Sequence, residues 1–210
     1  MILSREFYSG PAPEVAPRLI GCRLVRVLDD ARLAGIITEA EAYQGEEDQA
    51  CHARVGKTPR TEPMFGEPGH AYVYFTYGMH WLLNAVSDAP GAPAAVLIRA
   101  IFPVEGLERM ASLRPALFGQ PGWLNGPAKL TQALAIDGKL NRIDLCSEVS
   151  GLYIERGLNV PAEALQTTPR VGINSVPEPW LSIPWRWQLD PDYARQTLGA
   201  ATRETDAPKL

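Results

Sequence analysis

The sequence predicts one α+β domain, a mostly antiparallel, curved β-sheet flanked by helices, and three observations lead there. The chain has 210 residues, which at roughly 150 residues per domain is the length of one domain or at most two. Hydrophobic residues make up 46% and charged residues 21%, the usage of a packed core with a solvated surface and not that of a disordered or coiled-coil chain. Strand-like runs outnumber helical ones and do not alternate with them regularly, which argues against a doubly wound parallel sheet. Internal repeats, low-complexity tracts and long linkers are absent from the sequence. Residues 1–210 therefore read as a single domain, with about 189–210 as a C-terminal tail of looser order.

The elements follow in order. Pro13 to Ile20 reads as a short helix stopped at Gly21. Arg23 to Leu28 and Arg32 to Tyr43 flank Asp29-Asp30-Ala31 and read as a hairpin. From Gln44 to Gly69 apolar periodicity is weak and Gly and Pro recur, and a loop of that length inside a compact domain is usually functional. Tyr72 to Phe75 and Met79 to Val86 flank a turn near Tyr77-Gly78. Ala94 to Phe102 reads as a buried strand. Glu105 to Leu113 and Pro127 to Ile136 read as helices, the second opened by Pro127 in its first turn. Leu152 to Glu155, Arg170 to Ile173 and Ile183 to Gln188 are further strand-like runs.

Cysteine usage and charge bound the setting. Cys22, Cys51 and Cys146 are odd in number and form no C-x-x-C pair, which favours free thiols over a zinc ribbon or redox dithiol. The first residues show no apolar run, and the longest apolar stretch, Ala92 to Val104, is broken by Arg99, Pro93 and Pro103, far short of a membrane span. A cytoplasmic protein without a membrane partner is expected. Net charge is −4, against the basic balance of most nucleic-acid binders, although only the local field at a contact surface matters. That field is sided: five acids and no base lie between Glu39 and Asp48, and three bases and no acid between Arg54 and Arg60.

Strand alternation places Glu39, Glu41 and Tyr43 on one face with Ile37. A carboxylate beside an aromatic wall is desolvated, its pKa rises, and it becomes a usable general base near neutral pH. The competing reading of the same spacing is a strand edge whose acids face water. His52, His70 and His80 match no metal-ligand spacing, so no metal is expected; His52 reads either as a hydrogen-bonding loop residue or as a ligand contact. Tyr72, Tyr74, Phe75, Tyr77 and Trp81 form a dense aromatic run, in which Phe75 and Trp81 read as core. Tyr77, directly before a turn glycine, projects from a hairpin tip and reads as a wedge or contact residue. Arg99 interrupts an otherwise apolar strand, where a charge is costly unless an acid such as Glu41 or Glu39 pairs with it.

Several separated motifs then point one way: Glu39-Ala-Glu-Ala-Tyr-Gln-Gly-Glu-Glu-Asp-Gln-Ala-Cys-His, Thr58-Pro-Arg, Met64-Phe, Tyr72-Val-Tyr-Phe-Thr-Tyr-Gly-Met, Asn84, Leu97-Ile-Arg-Ala, Glu105-Gly-Leu-Glu, the run from Asn125 to Ile136 and Arg170-Val-Gly-Ile. From about Phe7 to Trp187 the chain resembles the alkyladenine (3-methyladenine) DNA glycosylases of the single-domain, non-helix-hairpin-helix type. The resemblance implies an antiparallel sheet with a protruding, DNA-contacting hairpin, and excision of alkylated purines from double-stranded DNA by base flipping and water attack. The bases it implies are 3-methyladenine and 7-methylguanine, with hypoxanthine and ethenoadenine in its wider range.

Position by position, Glu41 matches the general base, and Arg99 and the Val171 carbonyl match groups that hold the attacking water. Tyr43, His52 and Tyr74 match the residues that sandwich the extruded base, Asn84 the pocket floor, and Tyr77 the wedge. Arg54, Lys57 and Arg60, with Lys129 and Arg142, are the candidate phosphate contacts. No lysine falls in the site, so a water-using, monofunctional enzyme without Schiff-base lyase chemistry is expected; no cofactor and a monomeric state are expected besides. Two other readings fit part of the pattern: a free-nucleoside hydrolase, which leaves Tyr77 and the basic cluster idle, and a non-catalytic nucleic-acid-binding module, in which Glu41 is an ordinary surface acid.

Overall fold

A computed structural model describes residues 1–29, 31–120 and 122–204. In chain order the elements are α1 (Arg5–Tyr8), α2 (Ala12–Leu19), β1 (Arg23–Leu28), β2 (Ala31–Gln44), β3 (Ala71–Thr76), β4 (His80–Val86), β5 (Ala94–Glu105), α3 (Leu107–Leu113), α4 (Pro127–Ala133), β6 (Leu152–Glu155), β7 (Leu165–Thr168), β8 (Arg186–Leu189) and α5 (Pro191–Glu204). The strands form one antiparallel sheet in the order β3-β4-β5-β2-β1-β6, with β8 pairing both β2 and β7. The chain is a single α+β domain, as its irregular succession of strands and helices predicts.

The 14-residue β2 organises the sheet. One of its edges runs along β5 from Ala34 to Gln44. The other is shared: β1 takes Ala31 to Ile36, and β8 takes Glu39 to Glu41. Strands pair with β2 on both edges, and its middle is a nearly continuous buried run, the signature of a central strand covered on both faces. α2 packs Val15, Ala16 and Leu19 against this centre, and α4 closes the β4–β5 side with Leu130 and Ala133. A smaller apolar cluster of Cys51, Ala53, Met64, Tyr72, Val86 and Ala95 lies apart from the main core. It fastens the long 45–70 connection onto β3, β4 and β5.

Some expectations need correction. Arg170–Ile173 is a turn and not a strand: Gly172 sits at φ +81°, a left-handed conformation that interrupts extended backbone. β7 escaped notice because Leu-Gln-Thr-Thr carries no apolar run and is half exposed. Leu189 is buried and leads into α5, whose Leu198 is buried in the main core; residues 205–210, the end of the expected C-terminal tail, lie outside the described residues, as does Asp30. Phe75, expected in the core, is 43% exposed and lies against the half-buried Trp81 with ring centroids 4.8 Å apart. Among the described residues no helix is long and apolar enough to cross a membrane.

Candidate active site

The β2–β5 register shifts twice within three residues. Thr38 is passed over between the pairs Ile37↔Ile101 and Glu39↔Ala100, and Arg99 is passed over between Glu39↔Ala100 and Ala40↔Ile98. Each strand thus carries one extra residue at the same place, and the two bulges cancel in register while re-aiming the side chains around them. Strict alternation, which grouped Ile37 with Glu39, does not hold across Thr38. The bulge at Arg99 brings its guanidinium onto both carboxylates: Nε donates to Glu39 Oε1 at 2.7 Å, and Nη1 to Glu41 Oε2 at 3.2 Å.

Glu41 has no exposed surface, so the solvent-facing edge considered from spacing alone is excluded. Its Oε1 accepts the Val171 backbone N–H at 2.7 Å, and its Oε2 accepts the Tyr43 hydroxyl at 2.9 Å as well as Arg99. The group of Val171 that reaches Glu41 is the amide; the carbonyl, which the resemblance assigns to the attacking water, is a separate group of the same residue. Glu39 Oε1 also takes Arg186 Nη1 at 2.9 Å from β8. Two carboxylates and two guanidiniums are therefore gathered with little water, each charge compensated, as burial of charge requires. Burial pushes the Glu41 carboxyl above its ordinary range; Arg99, the Val171 amide and the Tyr43 hydroxyl pull it back, and Glu39 adds a further upward push. The balance is a raised pKa.

Tyr43, Arg99 and Val171, the three residues that bond Glu41, also line a cavity of about 420 Å³, within the size range of small-molecule sites. His52 and Tyr74 line it as well, with ring centroids 4.5 Å apart and planes at 80°. They form one continuous aromatic wall. His52 Nδ1 lies 2.9 Å from the Tyr72 hydroxyl, so the ring is anchored through that nitrogen. Burial, with Arg60 and Arg54 nearby, pushes the His52 pKa down to about 4, so the ring is neutral at physiological pH. Asn84 is buried at the cavity, its amide donating to the Tyr72 carbonyl at 3.0 Å, while Met64, Leu82 and Leu97 supply apolar lining.

The rim carries the other expected residues. Tyr77 lines the cavity mouth at the β3–β4 tip, is 81% exposed and sits at φ +52° beside Gly78 at φ +67°. Arg54 is exposed on the rim, and Arg60 lies over the Tyr74 ring at 5.4 Å. Lys57 is exposed; Lys129 donates to the Gly122 carbonyl at 3.1 Å; and Arg142 is held by Glu62 at 2.6 Å, which makes it the least available of the five cations for a phosphate. Arg186 was missed in the sequence because its partner lies 147 positions away. No local spacing reveals such a pair.

Comparison with known proteins now becomes decisive. The family model described as methylpurine-DNA glycosylase matches residues 6–192. The chain belongs to the methylpurine-DNA glycosylase family. Relatives agree along almost their whole length. One from Carboxydothermus hydrogenoformans is 48% identical over 189 residues, covering 90% of this chain and 95% of that protein. One from Methanocella arvoryzae is 47% identical over 186 residues, covering 89% and 91%. One from Burkholderia orbicola is 44% identical over 203 residues, covering 96% and 93%. All three carry the name "Putative 3-methyladenine DNA glycosylase". As a methylpurine-DNA glycosylase family member, the chain is a DNA glycosylase for alkylated bases, and the cavity beside Glu41 is its candidate active site.

Proposed function

We propose that this enzyme flips N-alkylated purines, 3-methyladenine and 7-methylguanine, out of duplex DNA and releases them by a water attack that Glu41 assists. The supporting observation is the carboxylate itself: fully buried, raised in pKa, and bonded by three residues that form the cavity wall. In the proposed step, water is held at the seam between Arg99 and Val171 and gives a proton to Glu41. Its oxygen bonds to the sugar C1′ as the C1′–N bond breaks, and the bond's electron pair stays on the purine. A purine alkylated on a ring nitrogen is cationic, so it departs as a neutral molecule without needing a strong acid. The neutral His52 is matched to that requirement.

Positive charge developing on the sugar is stabilised by the adjacent carboxylate, and Tyr43 and Tyr74 present electron-rich faces to the cationic base, an attraction of roughly 0.5–2 kcal/mol. Tyr77 fills the gap that the extruded nucleotide leaves. Arg54, Lys57, Arg60 and Lys129 face the phosphates. The reaction needs no metal or cofactor, and the protein acts as a monomer.

The test is base release from a duplex carrying one alkylated purine. Glu41→Gln is expected to bind the lesion duplex and lose release by at least ~100-fold, the scale of a general base. Near-normal release by that variant removes Glu41 from the mechanism. Activity of the parent enzyme on free nucleosides equal to that on duplex favours the nucleoside hydrolase instead.

A further inference from the structure

The proposed mechanism uses Val171 and Tyr43 but leaves unexplained what holds them. Both are held by one buried ion pair that the mechanism does not use. Arg170 and Asp48 have side chains with no exposed surface, and they meet in a two-pronged bond: Nη1 to Oδ2 at 2.5 Å and Nη2 to Oδ1 at 2.9 Å. The remaining Nη hydrogens go to the Ala42 carbonyl at 3.0 Å and the Trp180 carbonyl at 3.2 Å. The guanidinium also lies 4.8 Å from the Tyr43 ring centroid and 5.3 Å from that of Trp185. Asp48 in turn accepts the backbone N–H groups of Gln44 at 3.2 Å and Ala50 at 3.0 Å. Two stretches far apart in sequence converge here: the end of β2 running into the 45–70 connection, and the 169–185 loop.

Resting on the reading of Glu41 as the base, we infer that Asp48–Arg170 is a positioning pair: it backs the Tyr43 ring and fixes the turn that delivers the Val171 amide to the Glu41 carboxylate. A fully buried pair carries a large desolvation cost, and such a pair is a weak stabiliser compared with apolar packing; here it is placed one residue from the amide that meets Glu41. Arg is needed because the fork saturates a carboxylate and two carbonyls in one plane, which the single ammonium of Lys does not reproduce. The groups that face Glu41 are Arg99 on the adjoining β5, Glu39 two residues earlier on β2 itself, the Tyr43 hydroxyl and the Val171 amide, with Tyr74 and Arg170 beyond Tyr43.

Arg170→Lys conserves charge, so its effects report geometry. Single-turnover release from methylated duplex is expected to fall by at least ~10-fold, since a displacement of about 1 Å can cost on the order of 100-fold. The acid limb of the rate profile is also expected to move to higher pH by about one unit, because a carboxylate that loses a hydrogen bond is harder to ionise. Asp48→Asn should lower the rate without adding to Arg170→Lys in the double variant, as residues of one network do. Melting curves establish that each variant is folded. Where neither folds, Asp48→Glu, which keeps the charge and displaces the carboxylate by one methylene, must show the same upward movement of the limb. A folded Arg170→Lys with a reduced rate and an unmoved limb, or with the parent's rate, overturns the inference. An inactive parent enzyme, or an active Glu41→Gln variant, overturns the Glu41 reading instead.

Discussion

The two ends of the β2–β5 ribbon carry the same charges in different surroundings. Near the start of β2, Arg32 pairs with Glu105 and Glu155, and Arg23 also pairs with Glu155, the four side chains being 14–44% exposed. Further along, Arg99 pairs with Glu39 and Glu41, and Arg186 with Glu39, at 0–19%. Each is a chain of two arginines and two glutamates on neighbouring strands. In the first, water screens the charges and can replace any lost partner. In the second, the bulges at Thr38 and Arg99 turn the charges inward, and Glu41 has only its three protein partners. Charge composition is shared; burial makes one cluster a surface fastening and the other a site where a carboxylate's pKa rises.

The comparison breaks most sharply at Arg99. Arg99→Gln strands Glu39 and Glu41 with reduced compensation, and removing one partner of a buried pair typically costs about 3–5 kcal/mol. Denaturant titration should show that loss, and base release should fall with it. A loss below about 1 kcal/mol would place the two clusters in the same energetic class.

The second effect is on pH. In the proposed mechanism Glu41 acts only when ionised, and burial raises its pKa above the ordinary carboxylate value. The rate of base release under saturating conditions should therefore fall tenfold per unit as pH drops below that raised value, and be flat above it. His52, pushed down to about 4, titrates below the raised Glu41 carboxyl and is not expected to set the limb. The check is to compare profiles of the parent and His52→Gln. A limb that disappears in His52→Gln assigns it to the histidine.

How much of this was legible in the sequence follows from the kind of interaction involved. The alternating Glu39–Tyr43 part of β2, the β3–β4 turn and the charge trapped in β5 follow from period-2 patterning, a Tyr-Gly turn and the cost of a lone arginine among apolar residues, all local signals. Arg186, and the meeting of Arg170 with Asp48, depend on partners more than a hundred positions away. The bulges were invisible for a related reason: an extra residue on each strand preserves overall register, so nothing in either strand alone announces it. The 45–70 connection was marked by its Gly and Pro content, but its anchoring by a separate apolar cluster of small and sulfur-bearing residues has no periodic signature.

Exposure alone does not make a residue idle, and Tyr77 sharpens that point. Unlike the Arg32 cluster, its ring is 81% exposed and its backbone is left-handed, a conformation costing roughly 1–2 kcal/mol for a residue with a side chain. Tyr77→Ala should weaken capture of a duplex lesion by about tenfold, in line with the ~1–3 kcal/mol that aromatic stacking on a base contributes. Release from single-stranded DNA should change little, because no duplex gap remains to be filled. Equal loss on both substrates would make Tyr77 a lining residue of the cavity and end its assignment as the wedge.

The smallest effect is expected where the charges are wettest. Arg32→Gln removes the centre of the outer cluster, yet Glu105 and Glu155 are left beside solvent, and Arg23 still reaches Glu155 at 3.0 Å. Exposed ion pairs are generally worth about 0–1 kcal/mol, because water replaces the lost partner at little cost. Stability should thus drop by no more than about 1 kcal/mol, with most of that drop suppressed at high salt, where screening already weakens the pair. Base release should be unchanged, since β2 is held at that end by its pairing with β1 from Ala31 to Ile36 whether or not Arg32 is charged. Denaturation at low and high salt, run beside the Arg99→Gln titration, decides the matter. If Arg32→Gln loses as much stability as Arg99→Gln, burial is not what separates the two ends of the ribbon, and the raised pKa of Glu41 needs another cause.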